Sequence, residues 1–406
     1  MLARGGTLDT RYLIFALSKA AKSDNPNSMN SAWREIMWSM RALARGKFPK
    51  LDARGRPFPE GSLAYERGRL GLPICGQFFF AWGQVAADLD YLANYLNLPH
   101  FNSNSPCWLC NCDRVHRPFT DFRRHAAWRD TVRTLADIAD LPLHHLHPLF
   151  QSPQTVGLTW MHCLLDVMHI CDLGVTQHVL GNSLWLLVWR AGLTGSFADR
   201  LLIVYNAVLE HYRALGTPQS EQMPFLRFQQ VFGDTRSPQP SHFPCFGGKA
   251  AQCRHLVGPM MRAFCGLTQG QSEHIHVRQL LMCLDRFYTL ISPQVHHLPP
   301  VVAMEIEEIV ERALVHYNFL SSEAANAGII MWNVVPKHHM WQHMALISRF
   351  YNPRMYWVYA DEDFVGRIAN IAKSVVRGLG PRRVGARLIE RYSKYLYICL
   401  RKRRGD

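Results

Sequence analysis

The chain has 406 residues, enough for two or three domains, and its 48% hydrophobic and 11% aromatic content is that of a packed globular protein and not a disordered one. A net charge of +14 points to a polyanionic partner. No long apolar h-region follows the first arginine and no run of 18 apolar residues occurs, so neither a secretory signal nor a membrane span is expected. The eleven dispersed cysteines suit a reducing compartment better than a disulfide scaffold.

In chain order, Arg11 to Ser18 ("RYLIFALS") is an apolar, strand-like run. A loop and helix cap follow at residues 23–30. Trp33, Ile36, Met37, Met40 and Leu43 then stand at helical spacing, which predicts an amphipathic helix over Ser31–Gly46. Residues 47–73, rich in Pro, Gly and Arg, read as an exposed loop. Ile74–Val85 is again strand-like, with Asp88 just past it. Asn102–Phe119 forms a Cys- and Pro-containing knob. From about 128 to 328 the periodicity is mostly helical, broken by Pro/Gly loops. "MWNVVPKHHMW" predicts a short strand running into a helix, and Asp361–Val376 an amphipathic helix ended by Gly378. The fold class is therefore α/β (α+β), with three parts: residues 1–127 including a Cys-rich knob at 100–119, a helical block at 128–328, and a C-terminal part at 329–406.

The chemistry-bearing residues fall into four groups. Cys107 and Cys110 form a Cys-x-x-Cys pair that can place two thiolates on one tetrahedral Zn²⁺. Cys112, His116, His100 or residues far along the chain would complete the set, with buried free cysteines as the alternative. In "PKHHMWQH", His339 and His343 are four apart and share a helix face, as a metal pair or as structural histidines. Asp166 and His169, three apart in an apolar segment, can meet on one helix face, and a carboxylate bonded to an imidazole is cheaper to bury than either alone. Finally, half of the net charge, twelve Lys/Arg against five Asp/Glu, lies in the last 46 residues. Lys249, Arg254, Lys337, Arg382, Arg383, Arg387, Arg391 and Lys394 are the candidate phosphate contacts, and the terminal "RKRRGD" could serve as a nuclear address.

The segment "CLLDVMHICDLGVTQHVLGNSLWLL" resembles the part of CACTA-type (En/Spm-like) DNA transposases that carries an Asp-x-x-His within "LDVMHI". Further features follow in the same order: a strand-borne acid in "QVAADLDY" with Cys-x-x-Cys about 20 residues on, the His-rich "PKHHMWQH", and "YWVYADEDFVGRIANIAKSVVRG", similar to the family's closing Glu helix. The resemblance implies an RNase H-like core interrupted by a helical insertion. Its acids would bind Mg²⁺ or Mn²⁺ for attack on a phosphodiester. It implies Asp88 (with Asp90 as rival) and Glu362 (flanked by Asp361 and Asp363) as catalytic acids, and Asp166 and His169 as the motif pair. The family's first strand and first Asp have no counterpart here, the only acid upstream of the opening strand being Asp9. The core is thus expected to be incomplete, the chain N-terminally truncated and catalysis impaired. DNA is the implied partner, in the nucleus or cytoplasm, with a homo-oligomer left open. The alternatives are a non-catalytic, zinc-stabilised nucleic-acid-binding or architectural protein, and a zinc-stabilised helical protein unrelated to DNA.

Overall fold

The computed structural model describes residues 13, 14, 16, 29–76, 80, 83–134, 136–139, 147–151, 158–225, 240–376, 378 and 380–404. Helix α1 (Asn30–Arg45) buries Met37, Met40 and Ala42 and ends at Gly46, whose φ of 67° lets its N–H reach back to the Leu43 carbonyl. A short helix α2 (Leu63–Arg69) lies within the predicted loop, capped by the Ser62 hydroxyl. Strand β1 (Val85–Ala87) leads into α3 (Leu89–Leu96). Strand β2 (Cys163–Leu165) pairs with β1 in parallel, Val85 opposite Cys163 and Ala87 opposite Leu165. A π-helical stretch, Met168–Val175, then runs directly into α4 (Thr176–Arg190).

The helical block follows: α5 (Phe197–Leu215), α6 (Ala250–Leu267), α7 (Ser272–Ile291) and α8 (Pro300–Asn326). Helix α4 is its centre. Every residue from Val179 to Val188 is buried, the polar Asn182 and Ser183 included. Gly181 is required there because the 244–246 segment crosses its face. A Cβ at 181 would stand 2.7 Å from the Cys245 nitrogen. Helix α9 (Pro336–Ile347) is buried on all faces from His338 to Ala345. Helices α10 (Tyr359–Val375) and α11 (Pro381–Arg404) pack on each other through Phe364, Tyr392, Val375, Val384 and Leu388. One continuous core joins all three parts of the chain, from Met37 through the 107–128 knob and the helical block to Ala345.

Several expectations are corrected. The molecule is mostly helical, and among the described residues the sheet has two strands. Arg11–Ser18 lies largely outside the described residues. Of the predicted strand Ile74–Val85, Val85 belongs to β1, the Ile74 and Phe80 N–H groups bond instead to the Gly46 and Leu43 carbonyls at the end of α1, and residues 77–79, 81 and 82 lie outside the described residues. The strand expected before α9 does not form. Trp332 adopts φ 58°, which breaks an extended run, and its N–H bonds to the buried Asn182 side chain.

Candidate functional site

The two strands end in acids. Asp88 follows Ala87 and Asp166 follows Leu165, so the register places both carboxylates beyond the same, C-terminal edge of a parallel pair. Asp88 Oδ1 caps α3 by accepting the Tyr91 N–H at 2.6 Å. Asp166 is buried and fully engaged. Its Oδ1 accepts from the Met168 and Val358 N–H groups at 3.1 and 2.9 Å, and its Oδ2 from the His169 N–H and the His169 ring Nδ1 at 3.0 and 2.6 Å. Asp166 and His169 therefore meet, but not as two residues of one helix face. Asp166 stands at the strand–helix junction and caps the first turn. Through Val358 it also fixes the chain that opens α10.

That chain brings Glu362 to the same place. Glu362, on the first turn of α10 where negative charge is favoured, stands 3.9 Å from His169 Nε2. Asp88, Asp361 and Glu362 line one cleft of about 600 Å³ beside β1. Burial opposes protonation of His169, but the Asp166 hydrogen bond and the charges of Asp166, Asp88 and Glu362 outweigh it and raise its pKa above the ordinary value. Of the rival acids, Asp90 bonds to Asn94 and Asp363 to Arg367, whereas Asp361 lines the cleft with Glu362.

Asp172 is an acid that periodicity did not single out. It is wholly buried, and accepts from the Tyr288 hydroxyl at 2.5 Å and from the Tyr359 hydroxyl. Burial pushes its carboxyl up to about 7 despite those bonds. The available signal was a lone acid six residues beyond Asp166 in the same apolar run.

The tightest cluster joins two separate sequence motifs. The ligand atoms of Cys107, Cys110, His339 and His343 all lie within 4.8 Å of one another, and all four residues are buried. Cys110 Sγ is 3.3 Å from both His339 Nε2 and His343 Nε2, which are 3.1 Å apart. A tetrahedral ion with bonds of about 2.0–2.1 Å to nitrogen and 2.3 Å to sulfur has ligand–ligand edges of roughly 3.3–3.8 Å, close to the spacings among Cys110, His339 and His343, and two sulfurs with two imidazole nitrogens are a donor set that suits a metal ion. Burial holds His339 down to about 4, neutral at pH 7, as a ligand must be. Hydrogen bonds from the Cys107 and Cys112 thiols favour the thiolate at Cys110. The knob and α9 supply two ligands each, held by Trp128 against the His339 ring and by Gln342 bonded to the Phe122 carbonyl. Cys112 is buried beside the two thiols but is not one of the four. His116 turns out to solvent, because Asp113 Oδ1 gathers the Val115, His116 and Arg117 N–H groups into a tight turn. His100 stacks on Phe101 and accepts the Asn102 N–H. Among the described residues no other group of three or more such side chains is gathered this tightly, the acids around His169 included.

The basic candidates divide. Lys249, Arg383, Arg387, Arg391 and Lys394 are exposed, with Arg387 and Lys394 both paired to Glu390 and Arg391 bonded to Ser374. Arg382 lies on α11, the helix that carries the last four. Lys337 donates instead to the Leu173 carbonyl at 2.8 Å, and burial lowers its pKa. Arg254 stacks on Trp357 and Tyr359. No described helix is long and apolar enough to cross a membrane. Compared with protein-family models, curated proteins and solved structures, the chain matches none.

Proposed function

We propose that the protein is a transposase-derived DNA-binding protein of the DDE type, built on an RNase H-like core of which β1, β2 and α10 are parts. The observation that carries this reading is the convergence of Asp88, the Asp166–His169 pair and Glu362 beyond the C-terminal ends of two parallel strands. Ligand sites of open α/β sheets lie there. Asp88 and Glu362 would hold Mg²⁺ or Mn²⁺, hard cations that take oxygen ligands. Such ions, when bound, would activate water or a 3′-hydroxyl toward a phosphodiester. Asp166 is occupied by four hydrogen bonds and serves to position His169 and α10. Two carboxylates fix two ions poorly, so cleavage is weak or absent while DNA binding persists. Labelled duplex DNA should bind at low salt, and binding should fall about 10³-fold or more between roughly 50 and 200 mM salt if six phosphates are neutralised. Any Mg²⁺- or Mn²⁺-dependent nicking should vanish in Glu362→Gln with DNA binding intact. Failure to bind DNA at low salt, or robust nicking that survives Glu362→Gln, overturns the reading.

A second reading, a non-catalytic DNA-binding or architectural protein, is favoured by the Cys107–Cys110–His339–His343 cluster being the tighter of the two sites. Zn²⁺ fits its two sulfurs and two nitrogens. In both readings one zinc per chain is expected by elemental analysis, and none in Cys110→Ser.

A further inference from the structure

A cleft of about 810 Å³ opens between α6, α7 and the 353–359 segment, on the far side of the Asp172 tyrosines. Two arginines meet in it. The Arg254 guanidinium lies 4.8 Å from the Trp357 ring centroid and 5.0 Å from that of Tyr359, and the Arg354 guanidinium lies 4.5 Å from the same Trp357 ring. Cation–π contact offsets part of their desolvation, but it does not remove the repulsion between two like charges sharing one ring. No carboxylate of the described residues pairs with either. Of the acids nearby, Glu221 is held by His255 at 2.8 Å, Asp285 is partly buried and feels the Arg262 charge, and Asp172, which feels the Arg254 charge without bonding to it, is engaged by Tyr288 and Tyr359. Arg254 Nη1 is buried with no hydrogen-bond partner, and its Nη2 reaches only the His255 ring, at 3.2 Å. Burial and the neighbouring Arg254 charge also hold Arg354 below the usual guanidinium range.

We infer that this cleft is a phosphate-ester site, with the forks of Arg254 and Arg354 closing on the oxygens of one phosphate. Guanidinium forks match phosphate geometry, and a bound dianion or diester cancels the repulsion that the free pair carries. Resting on the DNA-binding reading above, the occupant is a backbone phosphate of a nucleic-acid strand. Tyr359, in the cleft wall, and Glu362 belong to the first turn of α10, whose entry is tied to Asp166 through the Val358 N–H. A strand gripped in the cleft would be held in fixed relation to the acids. The other source of the same chemistry is a free nucleotide or pyrophosphate.

The test uses the full chain with Arg254→Gln/Arg354→Gln, alongside Arg286→Gln/Arg349→Gln. The second pair removes two equal charges that sit in ion pairs with Glu305 and Glu307. Arg354→Gln alone serves if the double variant fails to fold by circular dichroism. Probes are a labelled oligonucleotide duplex, and pyrophosphate and ATP by calorimetry at constant ionic strength. The cleft variant should lose about ten-fold or more in duplex affinity, and its log–log salt slope should become shallower by about 1–2, with the control near wild type. Pyrophosphate or ATP binding that depends on the two arginines, without duplex binding, retains the site, assigns it to a free phosphate ester and overturns the DNA reading. Duplex binding that ignores the two arginines, or falls equally in the control, overturns the site and leaves the DNA reading standing. No binding of any probe overturns both.

Discussion

Asp166 and Asp172 sit six residues apart, both buried, in opposite electrostatic situations. Asp166 accepts four hydrogen bonds, one from an imidazole whose pKa it raises and one from the backbone that opens α10. Asp166→Ala leaves the Val358 N–H and the His169 ring without an acceptor. Stability to urea should fall by about 1–3 kcal/mol, and Asp166→Asn, which keeps one carbonyl oxygen, should lose less. A loss below about 0.5 kcal/mol would show that the pair contributes little to folding. Burial raises the Asp172 carboxyl to about 7 from an ordinary value of 3.8, outweighing the two tyrosine hydroxyls and the Arg254 charge that favour its ionised form. Between those values the folded state holds a proton that the unfolded state has released. The stability contributed by this group is therefore fully present below about pH 4 and is lost as pH rises towards 7. Asp172→Asn removes the titration and keeps an acceptor for one tyrosine and a donor for the other. It should match wild type at about pH 4 and below, and exceed it by on the order of a few kcal/mol at pH 8. A pH-independent difference between the two proteins in urea titrations would show that Asp172 does not titrate in this window.

Elements with a one-sided apolar stripe were legible in the sequence, and those set by tertiary contacts were not. Helices α1 and α10 appear within two residues of their predicted bounds, because Met37, Met40 and Phe364 recur at helical spacing and Gly46 and Gly378, both at positive φ, stop them. The strand before α9 was misread, and the described part of Ile74–Val85 is strand at Val85, because apolar runs do not reveal where their backbone groups bond. Those at 74, 80 and 332 go to a helix end and a side chain. Both halves of the Cys/His site were visible as spacings. Their union was not, since His339 and His343 join Cys107 and Cys110 only through the burial of α9 against the knob. Helix α4 shows a further limit: a helix buried all round gives no facing direction, and the crossing of the 244–246 segment at Gly181 and Asn182 could not be read from it. Gly181→Ala would push a methyl into the backbone of Pro244 and Cys245, where nothing can swing aside. A loss of about 1–3 kcal/mol in urea unfolding is expected, although alanine is the better helix former. A stabilised variant would mean that the 244–246 segment moves freely.

At the scale of the whole molecule, the Cys/His cluster ties together parts of the chain that are 229 positions apart. The ends of that span lie in one continuous core, with Cys107 and Cys110 on one side and Met340, Trp341 and Met344 of α9 on the other. Closing so long a loop is costly in chain entropy, and an ion that binds only the folded arrangement adds its binding free energy to folding. Because the cluster lies inside the main core and not in an appended module, its loss should be felt by the entire cooperative unit. Removal of the metal with a strong chelator should lower the thermal midpoint by on the order of 10 °C or more. The transition should broaden or shift as a whole, without a separate early step. Zn²⁺ should restore it and Mg²⁺ should not, since two sulfurs and two imidazoles suit the softer ion. Cys110→Ser and His343→Ala should reproduce the chelated protein, whereas His116→Ala, on the exposed turn, should behave as wild type. An unchanged midpoint after chelation, with no zinc found by elemental analysis, would leave the cluster as buried thiols and imidazoles sharing hydrogen bonds. The cohesion between knob and α9 would then rest on those hydrogen bonds, on Trp128 against the His339 and His343 rings, and on the Gln342 bond to the Phe122 carbonyl.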